Sequence, residues 1–300
     1  MKLRPYYLIL IFVLLLPAAA RSQSAADSSI NLLLVAGPND HCGDNPCHQY
    51  IEDLQLLKKC LEETPGETSF AIELLIGTRP STDQLKAADA LIVHSSADRK
   101  LGEWHALFPQ NEAENGYDEA YQEFLDVLDA QLKRGMGLMV LHYSTWVDHP
   151  TAREHYLDWI GGYYHRGQSH VNADPTKKPT TGITTVSFPT PTHPILNGLT
   201  PWTTEAEYYY DIYFQKEDPR WTPLLNANLP LNDPQPHTVA WAVEREGDGR
   251  GVGFTGGHFH KNMYLEDYRK FILNAILWVA KAEVPLQGVV STVSQPNEGE

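Results

Sequence analysis

The segment Gly135-Met136-Gly137-Leu138-Met139-Val140-Leu141-His142-Tyr143-Ser144-Thr145-Trp146 decides the fold. Two glycines lead into the apolar run Leu138–Leu141, which stops at His142 and gives way to polar and aromatic residues. A short continuous apolar run bounded by turn residues reads as a strand buried on both faces. In open sheets of such strands, ligands bind just beyond the carboxyl ends. His142 stands at that place. From this stretch alone, a histidine that only hydrogen-bonds a neighbouring loop explains the residue as well as a functional one does.

Outward from this strand the same texture repeats. Asn31–Ala36 and Ala90–His94 are buried-strand runs, and Phe70–Ile76 is a third strand. Between them, residues 48–63 carry an apolar stripe at Ile51, Leu54, Leu57, Cys60 and Leu61, as a helix does. Residues 82–87 form a short helix, and 117–133 a long one with Phe124, Leu125, Leu128 and Leu132 inward. Strands alternating with helices at this spacing predict an α/β fold, a doubly wound and mostly parallel sheet flanked by helices. Beyond Gly161 the pattern loosens into a long loop to Gly182. It resumes with a strand over 184–188, a β-prone aromatic segment over 208–214, paired strands at 237–243 and 251–255, and a last helix over 268–280.

The first twenty residues fall outside the fold. Lys2 and Arg4, an apolar stretch from Tyr6 to Leu16, and Pro17-Ala18-Ala19-Ala20 make the three parts of a secretory signal peptide. The chain divides into this leader (1–20), a polar segment (21–30), one domain (31–285) and a polar tail (286–300). Export to a periplasmic or extracellular location is expected, with no membrane span once the leader is cleaved. Without Lys2 and Arg4 the formal charge moves from −15 to −17. Such an acidic surface disfavours nucleic acid and anionic lipid, leaving a neutral or weakly charged substrate as the easier partner. Of three cysteines, Cys42 and Cys47 are expected to bridge in an oxidising compartment, with Cys60 buried on a helix. Free thiols, or a metal held with His41 and His48, are the alternatives.

Histidines crowd the predicted loops and strand ends, and neutral imidazole serves both as a base near pH 7 and as a metal ligand. Glu205 and Glu207 share a face if their segment is extended. His142, His258 and Glu207 are the candidate acid/base groups. His41, His142 and His258 are the candidate ligands of a divalent metal such as zinc. Trp146, Tyr164, Arg166, Tyr208 and His237 are candidate sugar-binding residues, because aromatic faces suit sugar C–H surfaces and arginine suits paired hydroxyls. His193, followed by proline, reads as a structural turn. Trp241 and Trp278 read as core.

In order along the chain, AGPNDH (36–41), LKRGMGLMVLH (132–142), GGYYHRGQSHV (161–171), THPILNGL (192–199), EAEYYYDIY (205–213), GRGVGFTGGHFH (249–260) and the terminal ILNAILWVAKAEVP resemble the ThuA-like, or trehalose-utilisation, family. The resemblance spans residues 31–285 and implies a class I glutamine amidotransferase-like fold, a flavodoxin-like three-layer sandwich. It places His142 where that fold carries its nucleophilic cysteine, and His258 where it carries the partner histidine. No cysteine follows Cys60, so Cys–His glutaminase chemistry is not expected. Nor does a G-x-S-x-G elbow support Ser144 as a nucleophile. The family association implies carbohydrate metabolism, with a keto-disaccharide or glycoside as substrate and a separate sugar oxidoreductase in the same pathway. It admits a lyase, an isomerase or a hydrolase. A non-catalytic carbohydrate-binding or scaffold protein on the same fold is the second reading.

Overall fold

Five apolar runs pair side by side, and their order sets where the crevice opens. The computed structural model describes residues 29–42, 45–64, 68–97, 104–108, 119–170, 180–215 and 217–294. The expected leader and the side chains of His41, Cys42 and Cys47 lie outside the described residues. In chain order the strands are β1 (Ile30–Ala36), β2 (Asp40–Cys42), β3 (Asn45–His48), β4 (Phe70–Ile76), β5 (Ala90–His94), β6 (Gly137–Leu141) and β7 (Gly162–Tyr163). They continue with β8 (Thr181–Ser187), β9 (Thr203–Glu207), β10 (Tyr213–Phe214), β11 (Trp221–Leu229), β12 (Gln235–Glu244) and β13 (Arg250–Phe254). The helices are α1 (Tyr50–Glu62), α2 (Thr82–Ala87), α3 (Glu119–Lys133), α4 (Pro150–Ile160) and α5 (Glu266–Val279).

The main sheet runs β4-β1-β5-β6-β13-β12-β11-β8-β9. From β4 to β13 every pairing is parallel, in the 2-1-3-4-5 order of flavodoxin-like sheets. From β13 to β9 every pairing is antiparallel. The sheet is therefore a parallel half extended by an antiparallel one, and β11 and β9 are strands the sequence pattern did not announce.

Alternation along β1 explains the two cores. Leu32, Leu34 and Ala36 pack with α1 and α5, whereas Leu33 and Val35 pack with α2, α3 and α4. Covered on both faces, β5 and β6 are buried at every position. Gly137 is required where β6 passes the end of α5: a Cβ there would lie 2.1 Å from the Val279 carbonyl oxygen. Local chemistry sets the helix ends, with a Ser81/Gln84 capping box starting α2. His149, Pro150 and left-handed Gly161 bound α4.

The expected polar tail is packed as far as Val293. Val289 is buried, its N–H donates to Asn274 Oδ1 at 2.8 Å, and Arg269 donates to Ser291 Oγ at 2.8 Å. Among the described residues, no helix is long and apolar enough to cross a membrane.

Candidate functional site

Strands β6 and β13 are parallel neighbours, so their carboxyl ends lie side by side at the seam between the two halves of the sheet. His142 follows β6 directly and has a left-handed backbone (φ 49°), uncommon for a residue with a side chain. Its ring is held by Nδ1 donating to the carbonyl of Thr255, the residue after β13, at 2.7 Å. The chain then turns back through Gly257 (φ +121°), where a Cβ would stand 3.2 Å from His142 Cβ and 3.3 Å from His94 Cε1. Only glycine lets this turn lie so close, and the turn delivers His258.

His258 Nδ1 lies 3.3 Å from His142 Nε2 and 3.0 Å from His48 Nε2. His48 ends β3 and meets His142 nitrogen to nitrogen at 3.1 Å. Glu207, at the end of β9, places Oε2 3.2 Å from His258 Nδ1 and 3.8 Å from His142 Nε2. Its Oε1 accepts from Thr181 Oγ1 at 2.9 Å. All four donor atoms lie within 4.8 Å of one another.

The far side of each ring fixes its near side. His48 Nδ1 pairs with Asp40 Oδ1 at 2.5 Å, and Asp40 Oδ2 accepts from Tyr50 and Ser96. Burial pushes the Asp40 carboxyl up, but the hydrogen bond and charge of His48, with Tyr50 and Ser96, outweigh it and hold the group below its ordinary range. Burial, then the neighbouring His48 and His258, holds His142 well below the usual imidazole value, so it is neutral. With Nδ1–H committed to Asp40 and to Thr255, the two Nε2 atoms turn lone pairs toward each other whenever both rings are neutral. A contact of that length is reconciled by one proton shared between the two nitrogens or by a metal ion bound to both. Ligands 2.0–2.1 Å from a tetrahedral ion stand about 3.4 Å apart, close to the spacings here. A ligating imidazole whose other nitrogen is held by a carboxylate or carbonyl is the usual outer-sphere arrangement. Three imidazoles and one carboxylate suit zinc and its divalent transition-metal neighbours better than magnesium or calcium.

The structure thus brings His142, His258 and Glu207 together and adds His48. Trp146 and Tyr164 stack at 4.0 Å, and Tyr164 meets Tyr209, which meets His142. Arg166 sits at the rim, paired with Asp148 and lying over the Trp146 ring. Tyr208 is fully buried, facing Phe254 in the α5-side core, because chain alternation turns Tyr209 and not Tyr208 toward His142. His237 stands apart from the cluster, paired with Asp211 at 3.1 Å and packed on Tyr210. Glu205 is exposed and pairs with Lys261. Ser144 is tied by Oγ to the backbone of Ser95. His94 and His260 bracket buried Asp53 at 3.0 and 2.6 Å.

Asp40 was missed as a site member, and His48 was weighed only as a ligand beside Cys42 and Cys47, not as a partner of His142 and His258. Both follow β1, an inner strand whose carboxyl end faces the same crevice, and that position was the signal available.

The sequence profile of the ThuA family, described as trehalose utilisation, matches residues 48–279. The chain belongs to the ThuA family. No curated protein matches it. Among solved structures it is similar to a ThuA-like protein from Bacteroides uniformis (15 % identity, 83 % of this chain and 91 % of that one, TM-score 0.55). It is also similar to a ThuA-like protein from Parabacteroides merdae (12 % identity, 88 % and 98 %, TM-score 0.55). A cytoplasmic protein of Salmonella typhimurium LT2 is a third (13 % identity, 83 % and 99 %, TM-score 0.53). At these identities the likeness speaks for the fold alone. The ThuA profile begins at His48 and takes in all four converging side chains.

Proposed function

We propose that this ThuA protein is an exported, metal-assisted enzyme of carbohydrate utilisation that acts on a keto-disaccharide or keto-glycoside and has no glutaminase activity. The observation that carries the reading is the convergence of His48, His142, His258 and Glu207, with the second nitrogens of His48 and His142 already committed. A divalent ion held there supplies Lewis acidity toward a sugar carbonyl or hydroxyl oxygen. His48 and His142 are buried, so the approach is from the side of His258, the most exposed of the four. A protein that only binds sugar has no need of buried, oriented imidazoles, which favours an enzyme over a scaffold.

The position matching an amidotransferase nucleophile is filled by His142. Cys60, the free cysteine among the described residues, is buried on α1, where burial pushes its thiol up. Export through the leader, a Cys42–Cys47 bridge and a separate oxidoreductase that supplies the keto-sugar belong to the same proposal.

The test is elemental analysis of purified protein together with turnover of keto-disaccharides and their unoxidised parents. Near-stoichiometric divalent metal, lost with activity in His48→Ala and His142→Ala variants that still melt cooperatively, is the expected result. Full activity in both metal-depleted variants would overturn it.

A further inference from the structure

The hydroxyl of Tyr209 has a single hydrogen-bond partner among the described residues, His142 Nε2 at 3.1 Å. That nitrogen is also a donor atom of the proposed metal centre. An ion takes its lone pair, and a buried hydroxyl cannot be left unpaired without penalty. Tyr209 is 2 % exposed, so water does not replace the lost acceptor freely. Glu207 offers little relief, since Oε2 faces the ion and Oε1 accepts from Thr181. What remains is an acceptor that comes with the ion: an oxygen ligand from solvent or from a sugar.

The phenol is built to stay where it is. Its ring packs 4.7 Å from the His142 ring and 5.4 Å, edge to face, from that of Tyr164. Thr255 Oγ1 donates to the Tyr209 carbonyl at 3.2 Å, while the Thr255 carbonyl holds His142 Nδ1 at 2.7 Å. One residue beyond β13 therefore fixes both partners in a single relation. Tyr50, stacked on the His48 ring, already donates to Asp40.

We propose that Tyr209 Oη marks the exchangeable position of the centre and donates the hydrogen bond that seats a substrate oxygen there. With four protein ligands, that position is a fifth one, as catalytic zinc sites reach when they expand. This assignment rests on the metal-assisted reading and adds to it the group that positions the substrate oxygen.

The experiment uses cobalt(II) as the metal and azide as the acceptor ligand, followed by the visible absorption of the loaded full-length protein. Wild type and Tyr209→Phe are compared, with Tyr164→Phe as the control for ring packing. Tyr209→Phe is expected to bind cobalt(II) within about three-fold of wild type, to melt with it, and to bind azide about ten-fold more weakly, the loss of one hydrogen bond. Unchanged azide affinity in Tyr209→Phe overturns the assignment while leaving the metal centre standing. A collapse of cobalt(II) affinity in a well-folded Tyr209→Phe also overturns it, because the phenol oxygen is then itself a ligand. Wild-type protein that takes up no cobalt(II) sinks the metal-assisted reading as a whole.

Discussion

His48 Nε2 stands 3.1 Å from His142 Nε2 across 94 residues of chain, and each ring is aimed there by an acceptor on its opposite side. For His48 that acceptor is the Asp40 carboxylate; for His142 it is the Thr255 carbonyl. The carboxylate is the one a mutation can remove. Asp40→Asn keeps the shape but loses the charge that fixes the tautomer. Outer-sphere changes of this kind weaken metal binding by about 10–100-fold, and competition with a chromophoric chelator measures it. Affinity equal to wild type would show that Asp40 does not orient His48.

Gly257→Ala should disturb the site without touching a ligand. The new methyl meets His142 and His94 at 3.2 and 3.3 Å on a backbone that alanine rarely adopts. A destabilisation of roughly 1–3 kcal/mol is expected from the strained conformation, with metal affinity reduced as the turn carrying His258 shifts. Denaturant unfolding and chelator competition on one preparation check both parts.

His193 gives a pH dependence independent of the metal. Burial, then Arg250, lowers its pKa from 6.5 to about 4, and its Nδ1 accepts from the Ile195 N–H. The folded value is depressed, so the unfolded chain takes up the proton first. This contribution to stability is complete above pH 6.5 and is lost as pH falls toward 4. Unfolding free energy measured from pH 7.5 down to 4.5 should fall less steeply in His193→Asn, which caps the turn without titrating. Parallel slopes would rule out the histidine as a source.

Mass spectrometry of exported protein should find a start near Arg21, and thiol labelling without reduction should find Cys42 and Cys47 unreactive. An intact Met1 end, or three labelled thiols, would refute the leader and the bridge respectively.

Periodicity made most of the parallel half legible. The runs at 31–36, 90–94 and 138–141 lie within or match β1, β5 and β6, since strands covered on both faces leave a continuous apolar record, and the run at 70–76 matches the edge strand β4, which is only partly buried. Helix α4 was passed over, because Pro150-Thr151-Ala152-Arg153-Glu154 hides the apolar stripe, although proline at its start and Gly161 at its end mark it. Strand β11 was passed over because Pro223 and two register shifts interrupt its alternation. Within the site, His142 and His258 followed from strand ends, a backbone property. Choosing Tyr209 over Tyr208 required the direction of a chain leaving its strand, which three tyrosines in a row do not encode.

The four converging side chains come from the ends of β3, β6 and β9 and the turn after β13, and the contact between His48 and His258 spans 210 residues. During synthesis, a chain that has reached Leu141 carries one of the four, and at Gly257 it still carries three. The cluster comes together only after the parallel and antiparallel halves of the sheet have met at their seam. In the proposed metal-assisted enzyme, loading is therefore a late event in the life of the polypeptide, and a bound ion would report that the last strand is in place.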